Sequence, residues 1–200
     1  SIDKALLGLH YCGIDLPPTK SIDSQVLEQA QQHLQAQLDA LGWQALGQQN
    51  LAQQLPTTIS LAYRLFAQLV VSTQVAGQQN LCFYSSFEGL RAVLEHGANE
   101  HAIILYSSFS AVLAKQARYR EATQAAKVTL SLLKRYPHCP ESAYVHMMLG
   151  TLAWHFQHSL SEAIGLQIKA HELGHEIGDI TRFSNPRQLM AWLGLVYLFL

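Results

Sequence analysis

The chain has 200 residues, 49% of them hydrophobic and 14% charged, with a formal net charge of −1 and three cysteines. That is enough apolar material for a sizeable core in one or at most two domains, and too much for a disordered segment. The near-neutral balance excludes the long-range positive field by which general DNA and RNA binders attract phosphate, and Cys12, Cys82 and Cys139, distant and odd in number, fit a reducing cytoplasm better than a disulfide framework or a cysteine zinc site.

The opening SIDKALLGLHYCG reads as the tail of a helix whose partner is missing, with no signal peptide before it. A glutamine-rich helix from about Ser21 to Leu41 ends at Gly42, and Trp43 to Leu55 reads as an irregular connector. Pro56 can open a helix through Val75, Gly77 breaks it, LCFYSSFEGLRAVLEHG supplies a second helix ending at Gly97, and Asn99 caps the next. The tetrapeptide YSSF occurs at 84–87 and again at 106–109, a spacing too short for a repeat and read as coincidence.

From 99 to 136 the apolar positions Ala102, Leu105, Tyr106, Phe109, Val112 and Leu113, then Ala122, Ala125, Ala126, Leu130, Leu133 and Tyr136, fall at helical spacing, with a turn near Ala117 to Tyr119. A second such pair follows. YPHCPES is the break, with Pro140 suited to a first helical turn; Ser159-Leu160-Ser161-Glu162 is a capping box, and Gly178-Asp179 is a natural end. The final LMAWLGLVYLFL is too short to span a bilayer and reads as a helix cut in mid-course, so the chain is expected to be a piece of a longer protein.

Aligning the two hairpins sets Ser110 against Gly150 and Ala122 against Ala163, a recurrence of about 40 residues, which is the scale of helical arrays. Small residues are what a close crossing of two antiparallel helices requires. The expected architecture is therefore all-α, a right-handed superhelix of antiparallel hairpins at 56–98, 99–138 and 139–179, preceded by irregular helices over 1–55 and followed by a further helix from 180 to 200, in one helical-repeat domain. Leu149-Gly150 and Tyr119-x-x-Ala122 resemble fragments of the tetratricopeptide pattern, at a longer period than its own and without most of its signature positions.

GIDLPPTK after an apolar helix, the Ala-rich hairpins and the ending AHELGHEIGD together resemble, from about Leu6 to Leu200, a helical region of very large bacterial signalling proteins. Those proteins carry a STAND-type (AAA-like) ATPase module, sometimes after a protein-kinase-like domain, then this helical region, then an output such as GAF plus histidine kinase or a diguanylate cyclase. The resemblance implies a relay scaffold with no catalytic residue and no cofactor of its own. In such relatives the last segment reads roughly as Ala, any residue, Glu-Leu-Gly, any residue, Glu-Ile-Gly-Asp, in which the histidines of this chain are incidental.

Those histidines nevertheless spell H-E-x-x-H. His171 and His175 lie one helical turn apart with Glu172 between them, the arrangement by which zinc hydrolases hold their ion and place a general base. Catalytic zinc needs a third ligand. The extended pattern would put it at Thr181, and no His, Asp, Glu or Cys follows Asp179. With a turn near Ser159, residues level across the hairpin have numbers summing to about 318, which sets His146 opposite Glu172 and leaves His155 roughly 12 Å too low. His146 is the one conceivable third ligand, but His171 and His175 fall with Ile164 and Ile168 on a flank, away from the Ala163, Leu166, Ala170, Leu173, Ile177 stripe. A zinc hydrolase stays as an alternative, and ordinary repeat-surface histidines are preferred.

A second feature is basic. Lys115, Arg118, Arg120, Lys127, Lys134 and Arg135 face only Glu121, and Arg120, Lys127 and Lys134, seven apart, share one helix face that could dock an acidic partner or an adjoining domain of the same protein. Tyr106, Phe109, Trp154, Phe156 and Trp192 could line a concave groove, though core packing suits them better. No Gly-rich phosphate loop or G-x-S-x-G elbow is present. The expectation is a cytoplasmic, non-catalytic protein-interaction and signal-relay scaffold with a protein partner, no direct nucleic-acid or membrane contact, and a homodimer as one arrangement. A dimerisation or effector-binding domain of an ATP-dependent transcription activator is a further alternative.

Overall fold

In the computed structural model, which describes residues 2–48 and 55–176, every regular element is helical and no strand occurs among the described residues. The chain is all-α. The helices are α1 (Ile2–Tyr11), α2 (Ser24–Leu41), α3 (Trp43–Gln48), α4 (Thr57–Val75), α5 (Gln79–His96), α6 (Ala102–Lys115), α7 (Tyr119–Arg135), α8 (Ser142–Leu152) and α9 (Leu160–Glu176), with short 3-10 turns at Thr19–Ser21 and Trp154–Phe156. None of those described is long and apolar enough to cross a membrane.

Their limits follow from local chemistry. The Asp23 carboxylate accepts the Val26 N–H at 2.9 Å and starts α2, and Gly42, at φ +75°, ends it. Asn99 Oδ1 accepts the His101 N–H at 3.0 Å just before α6. Two expectations need correction. Trp43 to Gln48 is helical rather than irregular, anchored by the fully buried Leu46, whose N–H donates to Gly42 O. Pro140 lies in the turn ahead of α8 rather than in its first turn, because buried Cys139 offers its carbonyl to the Ser142 N–H at 3.0 Å. The expected end at Gly178-Asp179 and the segment from 180 to 200 lie outside the described residues.

Residues 1–109 and 110–200 form two compact units, the boundary falling within α6. In the first, α1 packs on α4 and α2 on α5, while α4 and α5 form an antiparallel hairpin. Ala30, Leu34 and Leu38, one turn apart, are the buried row of α2. Tyr63, Phe66, Phe87 and Phe109 are fully buried, and the Tyr63 hydroxyl donates to the carbonyls of Ala92 and Gly97, tying α4 to the end of α5. In the second unit α8 and α9 form the principal hairpin, with α7 touching the 3-10 turn after α8.

The 40-residue recurrence has a physical counterpart at the turns. After α4 the Gln78 N–H donates to Thr73 O and the Gly77 N–H to Gln74 O; after α6 the Arg118 N–H donates to Leu113 O and the Ala117 N–H to Ala114 O. These are the same six-residue helix-ending motif, with Gly77 at φ +71° and Ala117 at φ +59° in the left-handed position.

The helix crossings recur too. In the α4–α5 hairpin the Cys82 thiol lies 3.6 Å from Val70 O; forty residues on, the Ser110 hydroxyl donates to Ala122 O at 2.7 Å. In the α8–α9 hairpin Gly150 faces Ala163 O so closely that an added Cβ would lie 2.8 Å from it. The alignment that sets Ser110 against Gly150 and Ala122 against Ala163 thus names the two positions that meet at the crossing of each hairpin. At Gly150 a small residue is a condition of the crossing, because a larger one would meet a carbonyl rather than a movable side chain.

Candidate interaction surface

Helix α7 separates its faces sharply. Ala122, Ala125, Ala126, Thr129 and Leu132 are buried, and Arg120, Gln124, Lys127 and Lys134 are exposed. The charged positions stay in water because each would otherwise need a buried counter-charge. Arg120, Lys127 and Lys134 make no ion pair or hydrogen bond with a described residue. Arg118, by contrast, is engaged by Glu121 at 3.0 Å. The three form a ridge about 21 Å long at the α-helical rise. The sequence of its half of the chain is the more basic: residues 110–200 carry nine Lys and Arg against six Asp and Glu, whereas residues 1–109 carry four against eight.

The HELGH segment occupies the last turns of α9. The rings of His171 and His175 meet edge to face with centroids 4.5 Å apart, His171 half-buried and His175 exposed. Glu172 is exposed and accepts from Lys169 Nζ at 3.2 Å. Gln167 sets the register of this hairpin, donating to Thr151 Oγ1 at 2.6 Å and to Met147 O at 2.9 Å. His146, on α8, is half-buried with Nδ1 2.8 Å from Ser142 O. A carbonyl only accepts, so the proton sits on Nδ1. The structure thus brings His171 and His175 together, and among the described residues no group of three His, Cys, Asp or Glu is placed to share a metal ion. After zinc loading and desalting we expect well under one zinc per chain, unchanged by His171→Ala with His175→Ala, as measured by elemental analysis.

Burial pushes His146 below its ordinary value of 6.5, helped by the charge of Lys169 and opposed by the Ser142 carbonyl; burial likewise lowers His155, opposed by the Gly150 carbonyl. A histidine depressed on folding binds more protons when unfolded, so its contribution is intact above the unfolded value and is lost as pH falls through it. Thermal stability is therefore expected to decline as pH falls below the ordinary histidine value of 6.5. His146→Gln should flatten that slope, which circular dichroism melts would record.

The α8–α9 turn carries an aromatic cluster that sequence spacing did not single out as a unit. Trp154 stacks on His158 at 4.0 Å, and its indole N–H donates to Glu162 at 3.2 Å. Glu162 also pairs with His158 at 3.1 Å, and it is held below the usual carboxylate range chiefly by the Trp154 bond. Phe156 stacks on Tyr119 at 4.2 Å, joining the turn to α7. The available signal was WHFQHSLSE itself, an indole and an imidazole four residues apart ahead of a capping pair. Ser159 and Glu162 do meet: Ser159 Oγ accepts the Glu162 N–H at 3.3 Å. Tyr106, Phe109 and Trp154 are core, Phe156 is partly exposed, and Trp192 lies outside the described residues.

No protein-family model, curated protein or solved structure matches the chain.

Proposed function

We propose that this chain is a non-catalytic interaction and signal-relay scaffold, a cytoplasmic part of a bacterial regulatory protein, and that the α7 ridge is where it holds an acidic partner or an adjoining domain. The observation that carries the reading is the alignment of Arg120, Lys127 and Lys134 along one exposed face, unpaired among the described residues, on a helix whose other basic residue near its start is already neutralised by Glu121. Three cations fixed seven residues apart on a rigid helix present a complementary field without a cost of ordering a loop. The repeated turns and crossings favour hairpins stacked as a right-handed, tetratricopeptide-like superhelix. Together with the resemblance to the helical region beside STAND-type ATPase modules, they suggest a relay in which an occupied ridge biases how repeats pack, as a shift of populations.

The test is a fluorescence-anisotropy titration of a labelled glutamate-rich helical peptide. The protein should bind it in a salt-dependent manner. Replacing Arg120, Lys127 and Lys134 together by glutamine should weaken binding roughly tenfold, from three exposed pairs of about 0.2–1 kcal/mol each. Thermal stability should stay nearly constant, since all three side chains are exposed. Equal binding by the variant would refute the assignment of the ridge.

A further inference from the structure

A separate site lies in the first unit, at the N-terminal end of α4. Leu55, Thr57, Ser60, Leu61 and Arg64 line one wall of an open cavity of about 360 Å³, and His101, just ahead of α6, lines the other. That volume falls within the range of small-molecule pockets. Thr57, Ser60 and Arg64 stand on one face of α4 because they are three and four residues apart.

Two details, at Arg64 and Ser60, give the cavity a chemical preference. Arg64 is exposed and makes no ion pair or hydrogen bond with a described residue, so its planar fork of N–H donors is available. Asn99 Nδ2 donates to Ser60 Oγ at 3.2 Å, which uses the oxygen as acceptor and leaves the Ser60 O–H to donate elsewhere. His101 lines the cavity with a largely buried side chain, and its Nε2 lies 3.8 Å from Glu100.

We infer that this cavity binds a small organic carboxylate, with its charged end on Arg64 and Ser60 and its apolar part against Leu55 and Leu61. One guanidinium matches one carboxylate, in a bidentate pair. Inorganic phosphate, with more charge and no apolar part, matches less well, because Glu100 stands beside His101 and the cavity offers two leucines. The site is independent of the α7 ridge. A ligand there would give the scaffold a small-molecule input.

The experiment is an NMR titration of the whole chain with benzoate and, separately, with inorganic phosphate, following the ring signals of His101. Benzoate should give a saturable shift. Arg64→Gln should weaken it by roughly tenfold or more, the scale of a lost charge-assisted hydrogen bond. Arg91→Gln, removing an arginine that Glu88 already holds on α5, should leave it unchanged. Ser60→Ala should weaken it less than Arg64→Gln does. No saturable benzoate shift, a shift indifferent to Arg64→Gln, or tighter binding of phosphate than of benzoate would each overturn the assignment.

Discussion

Replacing Gly150 by leucine should destabilise the protein by at least about 3 kcal/mol, the upper end of overpacking costs, because the obstacle is rigid. A Cβ at this position would lie 2.8 Å from the Ala163 carbonyl oxygen, 2.9 Å from Gln167 Nε2 and 3.2 Å from Leu166 Cβ. The first is backbone, so α9 as a whole would have to retreat. The second is the side chain whose bonds to Thr151 and Met147 set the hairpin's register. Gly150→Ala pits a helix-propensity gain of about 1 kcal/mol against the same contact, and should still be destabilising. Gly165, one helix away, supplies the control. No described residue lies within 4 Å of its added Cβ and it is exposed, so Gly165→Ala should stabilise by up to about 1 kcal/mol. Urea denaturation of the three variants would read opposite signs from the same substitution type on the two helices of one hairpin.

Phe109→Ala should cost about 3–5 kcal/mol, the sum of lost transfer energy and the cavity left behind. Phe109 is fully buried and meets Phe87 edge on, with centroids 6.0 Å apart and planes at 87°. That geometry sets the positive edge of one ring against the negative face of the other, which adds about 0.5–1.5 kcal/mol beyond area. A double-mutant cycle with Phe87→Leu should recover a coupling of that size. A coupling near zero would mean the two rings act as bulk alone.

These two sites also mark where the sequence could and could not be read. The crossing at Gly150 was visible because small residues repeat at a fixed interval, and steric need leaves a local trace. The Phe87–Phe109 contact was not. Phe87 and Phe109 end the two YSSF stretches at 84–87 and 106–109, whose spacing matches no repeat, and their meeting depends on how the chain folds back. Helix ends at Gly42, Gly77 and Gly97 were legible from glycine, whereas the left-handed Ala117 turn carries no such signal beyond its position. Helix α3 was missed because its six residues are too short for a periodic pattern, and one buried leucine anchors it.

For the candidate surface, the heptad spacing of Arg120, Lys127 and Lys134 placed them on one face. Only the structure separates them from Arg118, which composition grouped with them and which Glu121 holds. The same holds for HELGH, where the sequence gives the spacing of two imidazoles and cannot disclose that Glu172 is engaged by Lys169. The Arg64–His101 cavity left no local trace, since its walls come from separate stretches of the chain.

The central claim is that α7 recognises its partner by charge, and a charge swap tests it most directly. Arg120, Lys127 and Lys134 would be changed together to glutamate, and the variant and the parent each titrated with the glutamate-rich peptide and with its lysine-substituted counterpart. The account predicts a reversal, the parent binding only the acidic peptide and the variant only the basic one, both weakened by salt. If the variant still bound the acidic peptide, or if the lysine peptide failed to bind it, the ridge would not be the recognition surface.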